Sequence, residues 1–462
     1  MYKYGFTFIL FLLNLSFCQI IYEFNRDLNL RENMTDEEIM TELSYNDLYT
    51  YINFGTPQKK LKVTINFHEK SLVLLGSEIN RENIFNESNS KTYKSLSEIN
   101  IIKSELYNGY ISEDVITLNN IEKSLKIQFI LGKELYEDED GYFPIVKEYI
   151  PIKYVGYIGL SIDSMFRIDF PDSLPLYLYN NYKYEYNFKS QFSIIFDKVK
   201  DKNSYSYKGK LVLNAYPHDY NKDYNEKQYI SSRLQKNSDG YLDWCIALDN
   251  VYYANNIIDE NNKIIFRPEI GIIVINVDLF KYLSDNYFKE YIDKKICKEK
   301  ILSLLGENYK YYFCSKEIDI TKFKDINFEL KDINMNFTLN YTDIFYEYNN
   351  KYFFLMVSRS YKQEYIFGSI IMKKYDFVFD KYKSKIGVYN KNINNNDDNE
   401  IKEDESRNNI KSYILLIAFI VILCILIILI IIYIIWSYLN KPRIQRKNEL
   451  NDDYIYKSDI IN

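Results

Sequence analysis

Between Tyr49 and Asn390 the chain is a succession of short runs in which apolar and polar residues alternate, each closed by Gly, Asn, Asp or Pro; "YTYINFG", "KLKVTIN", "SLKIQFIL", "GKLVLNAY" and "WCIALDNVYY" are typical. That spacing predicts many half-buried strands. One longer run, "VDLFKYLSDNYFKEYI" from Val277 to Ile292, has apolar residues at helical spacing and predicts a helix. Strands do not alternate with helices as a parallel α/β sheet requires, so nucleotide-binding folds of that class are excluded.

The two ends follow other patterns. Phe6 to Phe17 is an apolar run behind Lys3, with Ser16 and Cys18 before a cut near Gln19, and it predicts a signal peptide over residues 1–18. Tyr413 to Trp436 carries no charge over 24 residues, long enough to cross ~30 Å of hydrocarbon as a helix. Lys441, Arg443, Arg446 and Lys447 follow at once. Basic residues stay on the cytoplasmic side, so the expectation is a single-pass type I membrane protein of the secretory pathway, its large N-terminal region lumenal or extracellular. The polar stretch 391–411 predicts a stalk, because it has too little apolar surface to offset the entropy of ordering.

Composition narrows the picture further. A chain of 462 residues with 47% hydrophobic residues can build a large core, and 48 Tyr with 29 Phe against 14 Gly favours sheets. The net charge of -6 is spread evenly, leaving no basic stripe for nucleic acid. Setting aside Cys18 and Cys424, the oxidising lumen favours a Cys297–Cys314 disulfide with Cys245 as a buried thiol. His68, His218 and the cysteines show no metal-ligand spacing, and no cofactor or metal is expected. Sequons stand at Asn33, Asn86, Asn336 and Asn340.

Several segments together resemble the pepsin-type aspartic proteases (peptidase A1 domain). Phe54-Gly55-Thr56-Pro57 is similar to the family's opening turn, "NGYISEDVITL" to the second strand of its flap hairpin, and Val155-Gly156-Tyr157-Ile158-Gly159-Leu160 to the apolar-Gly element that threads under the first catalytic loop. Trp244 to Asp249 resembles the family's Trp-x-Ile-x-apolar-Asp strand, and Glu364 to Tyr389 its ending, with Phe367-Gly368 at the second apolar-Gly element. The resemblance implies a mostly β, bilobal pepsin-like fold, followed by the one transmembrane helix that the apolar run predicts; the abundance of Asn, Lys, Ile and Tyr makes plasmepsin-like enzymes the nearest active relatives expected. The expected organisation is a leader over 1–18, a short acidic pre-domain segment over 19–46, lobes over 47–190 and 191–390, a stalk over 391–411, a membrane helix over 412–438 and a tail over 439–462.

Such an enzyme needs two aspartates about 3 Å apart sharing one proton, each in an Asp-Thr-Gly or Asp-Ser-Gly turn. The resemblance puts Asn66-Phe67-His68 at the first turn and Arg267-Pro268-Glu269 at the second. Asn66 has no proton to exchange near neutral pH, and Arg267 is a permanent cation. A slipped alignment would offer Glu69 or Glu269 instead. Ile102 falls where the family has its flap tyrosine. His68, Glu69, Ile102 and Glu269 are thus the candidate cleft residues, and no catalytic residue is assigned. Arg267 needs an acidic partner, and Glu69 and Glu269 are the ones expected. His68 is expected to be an exposed turn residue. The resulting expectation is a pseudoprotease that binds a peptide or protein in its cleft. The alternatives are a divergent aspartic endopeptidase and a structural membrane protein with a filled cleft.

Overall fold

The alternating runs do form sheets. The computed structural model describes residues 19–45, 47–79, 82–97, 102–103, 107–118, 124–135, 154–162, 170–197, 207–238, 240–304, 307–359, 364–390 and Tyr433. Residues Met1–Asn390 make one compact unit and Lys391–Asn462 another; the fold described below is that of the first. It is mostly β, built on a 14-stranded and an 11-stranded sheet. No described helix is long and apolar enough to cross a membrane. The leader, the stalk, the tail and, Tyr433 aside, the span Tyr413–Trp436 lie outside the described residues.

Two Ψ-shaped units position the site. In the first, the strand Lys59–Asn66 runs into a loop and returns as Leu72–Leu75, and the strand Gly156–Gly159 threads between them, parallel to one arm and antiparallel to the other. In the second, Asn256–Phe266 and Ile273–Ile275 are the arms and Tyr365–Phe367 is threaded between them. The registers match. Ile158 faces Leu72 in one unit as Phe367 faces Ile273 in the other, and Asn66 lies opposite Gly159 as Arg267, one step beyond the Phe266–Phe367 rung, lies opposite Gly368. A Cβ on Gly159 would fall against the carbonyl oxygens of Glu69 and Ser71, and one on Gly368 against those of Ile270 and Ile272. Only a glycine lets the threaded strand pass so close under each loop.

Aromatic rings fill the space beneath. Phe67 of the first loop packs edge-on to Phe192 and Phe379, with centroids at 5.4 and 5.0 Å, and Trp244 packs on the same two rings at 5.5 and 5.1 Å. The Trp244 indole N–H donates to the Leu160 carbonyl at 2.8 Å, tying the second half of the chain to the first Ψ unit. Buried aromatic pairs of this kind add about 0.5–1.5 kcal/mol each beyond their area.

Residues 20–45, expected to lie ahead of the folded domain, are part of it. Ile20–Arg26 is a strand paired along its whole length with Tyr207–Leu213 and joined to Tyr49–Phe54 at the Asn25–Tyr49 rung. The helix Asp36–Ser44 is started by a capping box between Thr35 and Glu38 and an acidic first turn that suits the helix dipole. Arg26 reaches back to donate to the carbonyls of Glu42 (3.1 Å), Leu43 (3.4 Å) and Tyr45 (2.7 Å), satisfying the carbonyls that a helix end leaves open. Beyond it, the Gly271 amide donates to Ser44 O at 2.7 Å, so the segment docks directly on the second loop.

Strands from both sides of position 190 share the larger sheet: Gln191–Phe196, Tyr207–Leu213, Phe377–Asp380 and Lys385–Tyr389 lie in it with the N-terminal strands. The expected helix runs through Val277–Leu283, Ser284–Phe288 and Lys289–Asp293, capped by the Asn276 side chain on the Leu279 amide. Cys297 and Cys314 face each other across paired strands and are bonded, S–S 2.06 Å, while Cys245 is buried and free.

Replacing Gly368 by Ala is expected to lower stability by about 3 kcal/mol, since backbone oxygens cannot move aside as side chains do. Chemical denaturation of parent and variant measures the loss, and an unchanged midpoint contradicts the crossing geometry.

Candidate functional site

The two loops meet over the aromatic cluster. Asn66 closes the strand Lys59–Asn66 and is 4% exposed; its side-chain oxygen accepts the amides of His68 (2.7 Å) and Glu69 (2.8 Å), so it works as the cap of its own turn. The Leu160 amide donates to the Asn66 carbonyl at 2.8 Å and the Ser161 amide to that of Glu69 at 3.0 Å, which pins the loop to its threaded strand.

Arg267 occupies the corresponding place in the second unit and is almost enclosed, its side chain 11% exposed. It makes a two-pronged pair with Asp243: Nη1 to Oδ1 at 3.0 Å and Nη2 to Oδ2 at 2.5 Å. Glu269, which sequence reasoning offered as its partner, stands farther off, with Oε1 3.9 Å from Nε. Asp243 was missed. The rung Cys245–Ile265 of the hairpin Cys245–Tyr253/Asn256–Phe266 carries Asp243 directly opposite Arg267 two steps on, so the pair is a cross-strand one. Burial alone would raise the Asp243 carboxyl, but the Arg267 charge and its hydrogen bonds outweigh this and hold it below its ordinary value.

Glu269 and His68 respond to the same field from opposite loops. Burial raises Glu269 to about 7, although the Arg267 charge and the amides of Glu269 and Phe67 pull the other way. Its Oε2 is enclosed without a hydrogen-bond partner. His68 is half-buried, not exposed as expected; burial first and Arg267 second lower it to about 4, against the opposing charge of Asp243. Around Arg267 there is thus one locked carboxylate, one carboxyl that is neutral in mildly acid solution, and a neutral imidazole.

The other expected cleft residues are placed in part. Ile102–Lys103 pairs with Asn108–Gly109 as the first arm of a hairpin, and the Ile102 side chain lies outside the described residues. Glu69 is half-buried in the first loop. No group of three or more His, Cys, Asp or Glu suited to a metal occurs among the described residues. A cavity of about 510 Å³ lies elsewhere, lined by Ile21, Glu23, Thr50, Tyr51, Asn53, Lys60 and Lys210, and includes none of the loop residues. Compared with known proteins, the chain matches no family model and no curated protein.

Two outcomes follow from the cluster. Removing one partner of an enclosed ion pair strands the other, so Asp243→Ala is expected to cost about 3–5 kcal/mol by chemical denaturation; a loss under about 1 kcal/mol contradicts the pairing. The second concerns pH. Glu269 is raised in the fold, so its stabilising contribution is present below the unfolded value and is lost as pH rises toward about 7. His68 is depressed, so its contribution is present above its ordinary value of 6.5 and is lost as pH falls toward about 4. Relative to the parent, Glu269→Gln should gain stability as pH rises from 5 to 8, and His68→Gln as pH falls from 7 to 4.5. Parallel curves for parent and both variants contradict the assignment.

Proposed function

We propose that this chain is a pepsin-fold pseudoprotease, anchored as a type I membrane protein with its β-rich region lumenal or extracellular, which binds a peptide or protein partner without cutting it. The observation that carries this reading is the matched register of the two Ψ units, in which Asn66 and Arg267 hold equivalent positions where the family resemblance calls for aspartates. A shared-proton pair needs two carboxylates in contact. Here Asn66 caps its own turn, and the carboxylate that reaches Arg267, Asp243, is bound as an ion pair rather than presented to a water. Neither general-base nor proton-sharing chemistry is available to that arrangement.

A bilobal cleft still takes an extended peptide by main-chain pairing, which requires no catalytic acid. The anchoring rests on the apolar run Tyr413–Trp436 and the basic residues behind it. A second reading, a divergent aspartic endopeptidase, draws on the enclosed, protonatable Glu269.

The full chain in detergent, incubated with a diverse peptide library at pH 4 to 7 and followed by mass spectrometry, separates them. No cleavage with some peptides retained intact is the expected result. Specific cuts abolished by a transition-state inhibitor of aspartic proteases would overturn the pseudoprotease reading, and neither cuts nor retention would leave the cleft filled.

A further inference from the structure

The cavity away from the loop junction has its cause in strand pairing. Ile20–Arg26 and Tyr49–Phe54 share a single rung, Asn25–Tyr49, and Tyr49–Phe54 next meets a strand on that edge only at Asn53, opposite Thr117. Between those rungs the two strands part, and Thr50 Oγ1 bridges the start of the gap by donating to the Glu23 carbonyl at 2.7 Å. The opening measures about 510 Å³. Alternation decides its lining: Ile21 and Glu23 point outward on one strand while Tyr22 and Phe24 are buried, and Tyr51 and Asn53 point outward on the other while Ile52 and Phe54 are buried. The strands on either side supply Lys60, in register with Asn53, and Lys210, in register with Glu23.

Among the described residues, Lys60, Lys210 and Glu23 form no ion pair, and Lys60 Nζ instead stands 4.5 Å from the Tyr51 ring centroid. Two flanking charges are already engaged: the Tyr49 hydroxyl donates to Asp27 at 2.9 Å, and Lys62 Nζ lies 3.8 Å over the Tyr49 ring. The lining therefore carries a surplus of positive charge, and a concave wall focuses that field on a small anion. Two ammoniums call for an acid group. The Glu23 carboxylate calls for a donor such as a hydroxyl, and the Asn53 amide serves donors and acceptors alike. Tyr51, 41% exposed, offers its ring to a flat C–H face. An acidic saccharide carries all three features on one ring. A free amino acid would satisfy the charges but leave most of the volume empty, since cavities of roughly 300–1,000 Å³ take ligands of drug size.

We propose that this opening binds an anionic saccharide, its carboxylate or sulfate held between Lys60 and Lys210, its hydroxyls on Glu23 and Asn53, and one face of its ring on Tyr51. The site depends neither on the loop junction nor on the membrane anchoring.

Isothermal titration calorimetry of the full chain in detergent at low salt tests this with four probes: unsulfated chondroitin disaccharide, its sulfated form, neutral lactose and glutamate. An acidic disaccharide should bind about tenfold more tightly than lactose, and less tightly as salt is raised. Binding of both acidic disaccharides assigns the site to carboxylated sugars, and binding of the sulfated form alone assigns it to sulfated ones. Lys60→Gln with Lys210→Gln should weaken that binding about tenfold, and Tyr51→Ala about threefold. All three side chains are exposed, so these variants should melt with the parent; if the double variant melts early, the lysines replaced singly give the same reading. Equal affinity for lactose, unchanged affinity in the lysine variants, or no binding of either acidic disaccharide up to about 10 mM overturns the proposal. Glutamate bound in preference to both disaccharides marks an amino-acid site and overturns it as well.

Discussion

Two loops can meet over one aromatic core only if a strand passes beneath each without a side chain in the way. Gly159 and Gly368 meet that condition, and backbone carbonyls of both loops close on the places where a Cβ would stand. Once those crossings are made, Asn66 and Arg267 are fixed at equivalent positions, Phe67 turns down onto Phe192 and Phe379, and Trp244 reaches the Leu160 carbonyl. The geometry of the site is a consequence of backbone packing. What the side chains add is the choice of chemistry, and here they spend it on an ion pair and a self-capped turn.

That choice has an electrostatic logic. A guanidinium in an enclosed junction needs a fixed counter-charge, and the cross-strand Asp243 supplies it with two hydrogen bonds. Burial makes any further charge beside that pair costly, so Glu269 holds a proton more readily than usual despite Arg267, and His68, which Arg267 also repels when charged, releases one more readily. The two shifts act on stability in opposite directions as the pH changes, the Glu269 contribution being lost as pH rises and that of His68 as pH falls.

Much of this was legible in the sequence. Period-two alternation announced the strands, Asn276 and the apolar spacing after it announced the long helix, and the apolar-Gly elements at Gly159 and Gly368 marked both threaded strands. The Cys297–Cys314 pairing was also accessible from compartment and loop length. Other features depended on register, which alternation leaves undetermined. Asp243 faces Arg267 because the hairpin joining them has an irregular rung between Val251 and Tyr252, and a bulge of that kind leaves no reliable trace in one sequence. Residues 20–45 were misjudged for a related reason: their acidic composition suggested a free segment, whereas the strand Ile20–Arg26 gains its place from a distant partner, Tyr207–Leu213. The charges that His68 feels likewise come from Arg267 and Asp243, some two hundred positions away.

An experimental electron-density map of the loop junction tests the central claim most directly. The account predicts the Arg267 guanidinium laid flat against the Asp243 carboxylate, with the Asn66 side chain turned back onto the amides of His68 and Glu69. Glu69 and Glu269 facing each other at about 3 Å, the separation at which two carboxyls share a proton, with Arg267 turned out to solvent, would contradict it.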